Sequence, residues 1–99
     1  MRESGFQRRL IKKIRKRFPG CYVLKNDSAY CQGIPDLLIL YGKHWATLEV
    51  KRSYADSLDP RPNQEYYVKD MNRQSFSSFI FPENCEEVLD AMERSFADS

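Results

Sequence analysis

Residues 33–36 read Gly-Ile-Pro-Asp and residues 49–51 read Glu-Val-Lys, and both lie at the ends of otherwise apolar runs, "DLLILY" and "HWATLEV". Two carboxylates and an ammonium are costly in strands that read as buried. Between the runs stand Gly42 and Lys43, and glycine first in a two-residue loop is the signature of a type II′ hairpin. That hairpin sets Tyr41 against His44, Leu40 against Trp45, Ile39 against Ala46, Leu38 against Thr47 and Leu37 against Leu48, so Asp36 falls opposite Glu49. Directly opposed residues have Cβ atoms roughly 4.5–5.5 Å apart. Two carboxylates that close repel unless one protonates or a cation bridges them, and a divalent ion with oxygen ligands resolves the conflict. Lys51 follows Glu49 by two positions and projects from the same face. Acid, acid and ammonium converging on one sheet face suit phosphodiester hydrolysis. The ion binds the scissile phosphate and lowers the pKa of a water, while the lysine positions that water or stabilises the developing charge. Glu-Val-Lys alone reads as an ion pair at a strand end; its register with Gly-Ile-Pro-Asp points to a site.

The surrounding segments must hold these residues in place. Phe6, Leu10, Ile11, Ile14 and Phe18 recur at helical spacing, predicting an amphipathic helix over about 3–18 that Pro19-Gly20 stops. "CYVLKN" (21–26) is a strand, "DSAYCQG" (27–33) a loop, "DLLILY" (36–41) and "HWATLEVKR" (44–52) the hairpin strands, and "SYADSLDPRP" (53–62) a loop on the side of the site. Pro62 suits the first helical position of a helix over 63–74. "SFSSFIF" (75–81) is a strand ended by Pro82, and 83–96 a last helix with Val88, Leu89, Met92 and Phe96 on one stripe. The order αβββαβα predicts an α/β (α+β) fold, a mixed sheet flanked by helices.

At 99 residues the chain is a single domain, 1–99, with 41% apolar and 30% charged residues, the balance of a soluble globular protein. The expectation is a cytoplasmic protein with no membrane segment, since no apolar run is long enough to span a bilayer. Cys21, Cys31 and Cys85 form no C-x-x-C pair and read as reduced thiols, neither a disulfide framework nor a zinc site. No organic cofactor is expected. Net charge is only +2, but eight of 16 basic residues lie in the first 17 positions and six of 14 acids lie from Glu83 onward. That segregation reads either as a polyanion-binding surface or as solvated helix faces. Arg8, Lys12 and Arg15 in the first helix, and Lys25, Arg52, Arg61 and Lys69 flanking the candidate site, are candidate phosphate contacts. Tyr54, Tyr66 and Tyr67 are candidate stacking partners for unpaired bases, with one of the adjacent pair packing inward. His44 reads as an exposed turn residue and Trp45 as core.

Pro35-Asp36 followed by Glu49-Val50-Lys51 resembles the motif of the PD-(D/E)XK nuclease superfamily, whose core is a restriction-endonuclease-like αβββαβ arrangement. With Glu3, Gln7, Gly33-Ile34 and Gln64 added, the chain is similar to the VRR-NUC branch, the virus-type replication–repair nucleases, from Glu3 to about Met71. The resemblance implies that Asp36, Glu49 and the Val50 carbonyl ligate Mg²⁺ or Mn²⁺ and that Lys51 is the catalytic lysine. It implies that Glu3 aims at the metal directly or through water, and that Gln64 orients Lys51 or a phosphate. Read from the residues alone, Glu3 is equally a first-turn acid set against the helix dipole, and Gln64 an ordinary first-turn polar residue. The loop "KNDSAYCQG" (25–33) departs from the family in length and composition, so the resemblance implies no DNA contacts there.

The expected activity is metal-dependent, structure-selective cleavage of DNA, in particular branched DNA such as four-way (Holliday) junctions, by a homodimer. The second copy is expected to cover the Phe76, Phe79 and Phe81 region or part of the last helix. The rivals are a non-catalytic nucleic-acid-binding module on a nuclease scaffold, a flap- or duplex-nicking nuclease, a sequence-specific restriction-type nuclease, and an interaction or inhibitor protein using the basic helix. A complete Asp36, Glu49, Lys51 set argues against the first. No added recognition elements favour a restriction-type enzyme, and an inhibitor leaves the embedded carboxylates unexplained.

Overall fold

A computed structural model describes residues 4–98; Glu3 lies outside the described residues. The first apolar stripe becomes helix α1, Gly5–Arg17. Ser4 caps it, its hydroxyl accepting the Gln7 backbone N–H at 3.0 Å, as short polar side chains do at helix starts. Strands β1 (Tyr22–Lys25), β2 (Leu37–Tyr41) and β3 (His44–Val50) follow. Gly42 sits at φ 62° while Lys43 does not enter positive φ, the type II′ pattern. The register is the expected one, from Tyr41 against His44 to Leu37 against Leu48, without a bulge.

Two local expectations need correction. The segment after Lys51 contains a one-turn helix, α2 (Tyr54–Ser57), whose cap is the Ser53 hydroxyl accepting from the Asp56 N–H at 3.2 Å. The next helix, α3, spans Gln64–Gln74, and its cap is Asn63 at φ 71°. Pro62 therefore lies outside the helix rather than at its first position. The chain needs a left-handed residue to turn from the loop into α3, and asparagine tolerates that conformation better than most side chains. Strand β4 (Phe76–Ile80) then pairs parallel with β3, and a 3₁₀ turn at Pro82–Asn84 leads into α4 (Cys85–Ala97).

The fold is α+β: a four-stranded mixed sheet ordered β1-β2-β3-β4, flanked by helices. Strand alternation divides its polarity. Leu37, Ile39, Ala46, Leu48 and Ile80 are fully buried in one cluster with Leu10, Ile14, Phe18, Leu89 and Met92 of α1 and α4 and their flanks. On the other face lie Thr47, Glu49 and Ser77, all buried, and the Thr47 hydroxyl donates to Ser77 Oγ at 2.8 Å. Helix α3 packs there over β3 and β4. Over β1 and β2 the same face stays open, with Tyr22 69%, Leu24 45% and Leu40 36% exposed.

The apolar stripe of α4 is core, Phe81 is buried, and Phe76 packs on the core, so these surfaces are already used within one copy. His44 is half-buried with its ring stacked on Phe96, 5.4 Å between centroids. Trp45 is half-buried.

The charge segregation is in part an internal fastening. Lys13 Nζ lies 2.6 Å from Glu86, and Arg17 reaches Asp90 at 2.7 Å and Glu86 and Glu93 at 3.5 Å each. One face of α1 thus neutralises α4 across the bundle. These pairs are solvent-exposed, so each contributes at most about 1 kcal/mol and weakens with salt. Among the described residues no helix is long and apolar enough to cross a membrane.

Candidate active site

Asp36 and Glu49 meet where the hairpin strands run out. The ladder carried one step past Leu37–Leu48 sets them face to face. Asp36 is fixed from both sides. Its carbonyl accepts the Asn26 N–H at 2.8 Å, and its Oδ2 accepts the Val50 N–H at 2.9 Å. Counted on beyond the last paired residues, Leu37 and Leu48, the same register brings Pro35 opposite Val50. Proline has no N–H, so this strand cannot donate to the Val50 carbonyl, while the Pro35 carbonyl is held by Asn26 Nδ2 at 2.8 Å. Pro-Asp therefore puts a side-chain bond, Asp36 Oδ2 accepting the Val50 N–H, where a ladder bond would stand.

Glu49 is 3% exposed. Its Oε2 accepts Gln64 Nε2 at 2.8 Å and lies 3.8 Å from Lys51 Nζ. Its Oε1 is buried with no hydrogen-bond partner among the described residues. Burial first, and then the Asp36 charge, push the Glu49 carboxyl up to about 8. Burial raises Asp36 as well, against the lowering effects of the Val50 N–H and Lys51. The pair holds a proton well above the ordinary carboxylate range.

Gln64, at the start of α3, ties the constellation together. Its Oε1 accepts both Lys51 Nζ and the Arg61 backbone N–H, each at 2.8 Å, while its Nε2 serves Glu49. The Lys51 ammonium also lies 6.0 Å from the centre of the Phe79 ring. The start of α3 is itself set by Gly33. At φ 89° an added Cβ would stand 2.6 Å from Asn63 Cβ and 2.8 Å from the Pro62 carbonyl. Only glycine lets loop and helix close up this far.

Asp36, Glu49, Val50, Lys51, Arg61 and Gln64 line one open cleft of about 720 Å³ with loop residues Ser28, Ala29, Gln32 and Gly33. Arg52 lies beyond it, in an adjoining hollow with Lys51 and Arg61, and pairs with Asp56 at 3.3 Å. Lys69 pairs with Glu65 at 2.8 Å. Arg8, Lys12, Arg15 and Lys25 are not in the cleft; they line a separate groove of about 180 Å³ between α1 and β1, floored by Ile11 and Val23. Gln7 is buried on the inner side of α1. Sequence reasoning passed over Asn26, took Gly33 only as part of the Gly-Ile-Pro-Asp motif, and read Phe79 only as surface for a second copy. The signal for Gly33 was present in its position just before Ile-Pro-Asp.

Among the described residues there is no group of three or more His, Cys, Asp or Glu that could hold a metal. Two carboxyls and one backbone carbonyl do not make a zinc or calcium cage. They do fit a hard, hydrated ion such as Mg²⁺, which keeps several waters and takes only one or two carboxylates. The partnerless Glu49 Oε1 fits the same group, because a buried oxygen without a donor is otherwise a cost of about 1–3 kcal/mol. No protein-family model, curated protein or solved structure matches the chain.

Two expectations follow. Glu49 has a folded value of about 8 against an ordinary 4.5, so between those values the folded chain binds more protons than the unfolded one. Its contribution to stability is complete below about 4.5 and is lost as pH rises through about 8. Urea unfolding in chelator from pH 5 to 9 should show wild-type stability declining and Glu49→Gln much flatter; parallel profiles would overturn the assignment. Gly33→Ala should destabilise by at least about 1–2 kcal/mol from the positive φ alone. It should also move the start of α3 and so impair any activity that depends on Gln64. A variant as stable and active as wild type would show that the loop yields freely.

Proposed function

We propose that the chain is a Mg²⁺- or Mn²⁺-dependent DNA endonuclease with a restriction-endonuclease-like fold of the VRR-NUC kind, acting on branched DNA such as four-way junctions. One observation carries the reading: two facing carboxyls, Asp36 half-buried and Glu49 buried, with a lysine two residues on, all in one open cleft. Ion pairing for stability gives no reason to oppose two acids and bury one without a full set of donors, since the desolvation cost outweighs what such an arrangement returns.

Asp36, Glu49 and the Val50 carbonyl would hold the metal. When bound, it supplies Lewis-acid charge at the scissile phosphate and a water of lowered pKa. Lys51, 12% exposed at its side chain, presents its ammonium to the cleft, where it stabilises charge on the phosphate oxygens or orients the attacking water. Gln64 keeps that ammonium from collapsing onto Glu49: its Oε1 receives Lys51 and its Nε2 occupies Glu49 Oε2. Gln64 is thus a positioning residue. Arg61 lines the cleft and Arg52 the adjoining hollow, with cationic side chains able to hold neighbouring phosphates. The groove of Arg8, Lys12, Arg15 and Lys25 offers a second track for a nucleic-acid arm.

A homodimer belongs to this reading, because one copy carries one such cleft and symmetric cutting of a twofold junction needs two sites. The α4 stripe and Phe81 are buried within one copy. The open strip of Tyr22, Leu24 and Leu40 is the apolar surface assigned to the dimer contact. A non-catalytic DNA-binding module would bind the same substrates without cutting them.

Cleavage of labelled four-way, flap and linear DNAs should require a divalent ion, and Asp36→Asn and Glu49→Gln should lose it. Lys51→Ala should cut about 10²–10³-fold more slowly while calorimetry shows metal binding retained. Turnover in excess chelator would sink the metal role, and loss of metal affinity in Lys51→Ala would sink the role given to the lysine. The same samples should sediment as dimers; a monomer that cuts linear duplex as fast as a junction would remove the branched-substrate part.

A further inference from the structure

The segment between β1 and β2 is built rather than slack. Asp27 nucleates it: the Asp27 carboxylate accepts the Ala29 N–H at 2.9 Å, and the Asp27 carbonyl accepts the N–H groups of Tyr30 and Cys31 at 3.1 and 3.2 Å. The Cys31 carbonyl then accepts the Ile34 N–H at 3.2 Å. At its base Asn26 bonds both Pro35 and Asp36. On its far side the Cys31 thiol and the Tyr67 hydroxyl lie 3.4 Å apart, and Gly33 backs onto Pro62 and Asn63. The loop is thus fastened to the catalytic strand and to α3, and Ser28, Ala29 and Gln32 form one wall of the cleft.

In this fastened loop Tyr30 is 92% exposed, while Tyr67 of α3 reaches the next residue, Cys31. A single exposed aromatic is ordinary in itself. Its placement is not: Tyr30 does not itself line the cleft, but it stands between Ala29 and Gln32, which do, on a preorganised loop, and the same cleft is lined by Lys51 and Arg61. A nucleotide whose phosphate enters that cleft must leave its base outside it. Cations for the phosphate with an aromatic face for the base is the pairing by which unpaired strands are held, and tyrosine gives a large face with few rotors to freeze.

Resting on the nuclease reading above, we propose that Tyr30 is a stacking platform for an unpaired base next to the phosphate in the cleft, and so a determinant of preference for branched over fully paired DNA. Paired bases are stacked on their own neighbours and have no free face to give. A base at a gap, splayed end or branch point has one. Stacking requires only a ring and a face, so the preference would follow DNA structure rather than base sequence.

The test uses the full chain in buffer with chelator, so that binding is read without cutting. The probes are two DNAs bearing 2-aminopurine, one with that base unpaired at a gap and one with it paired in continuous duplex. Wild type should quench the unpaired probe and bind it more tightly than the duplex. Tyr30→Ala should lose the quench and bind the gapped DNA roughly 5- to 150-fold more weakly, with duplex affinity changed less than about twofold. Tyr30→Phe and Tyr30→Trp should keep both the quench and the affinity. Equal loss on both DNAs, or no loss on either, would overturn the stacking role while leaving the nuclease reading standing. A Tyr30→Ala protein that sediments as a monomer where wild type is a dimer would place the ring in a protein contact and overturn it too. Failure of wild type to bind either DNA would overturn the nuclease reading itself and this role with it.

Discussion

The arrangement rests on one electrostatic conflict: two carboxyl groups opposed across a hairpin, one of them almost wholly out of water. Burial and mutual repulsion both favour the protonated form, and together they raise Glu49 to about 8. The Val50 N–H, Gln64 and Lys51 each relieve part of the conflict, yet Glu49 Oε1 keeps no donor among the described residues. A small domain has little stability to spare, so a cost of this kind at the centre of its sheet calls for a return outside folding. Sites that bind a cation commonly carry such a cost in the free protein.

The rest of the fold can be understood as what holds that conflict in place. The two-residue turn at Gly42-Lys43 leaves no slack in register, and a slip of one residue would send Glu49 into the face occupied by α1 and α4. That face is apolar throughout, which confines polarity to the opposite one. There α3 starts at the level of the carboxyls because Gly33 admits Asn63 so closely. The backbone N–H of Arg61 and the side chain of Lys51 then converge on the same amide oxygen of Gln64. Each of these constraints acts locally, and all of them fix the same few ångströms.

Much of this was legible in the sequence because it rests on short-range rules. The hairpin followed from glycine at a loop position and from period-2 apolar runs, and the facing of Asp36 and Glu49 followed by counting. The helices followed from their stripes. What was not legible depends on long-range contact. Lys13 and Glu86 are 73 residues apart in sequence, and nothing in either segment says that one basic face of α1 is spent on α4. The phenylalanines after residue 75 looked free for a partner, yet Phe81 is buried within the same copy. The left-handed Asn63 displaced Pro62 from the helix start because the required turn is set by the approach of Gly33, a residue 30 positions earlier. The segment over 27–33 read simply as a loop, because its order comes from Asp27's local bonds and from Tyr67 on another element.

The split of basic residues constrains how a nucleic acid could approach. The cleft opens on the α3 side of the sheet, whereas Arg8, Lys12, Arg15 and Lys25 line a groove on the α1 side. The longest dimension of the protein is 31 Å, which roughly nine base pairs of duplex axis would span at about 3.4 Å each. A straight, stiff duplex seated in the cleft has no means of turning round the β1 edge within that length, because bending DNA over so few base pairs costs several kcal/mol. DNA whose arms already diverge meets both surfaces without being bent. On the proposed nuclease reading, a preference for branched substrates would need no sequence-reading element, because the carboxyls and the cations Arg8, Lys12, Arg15 and Lys25 lie on opposite faces of one small sheet.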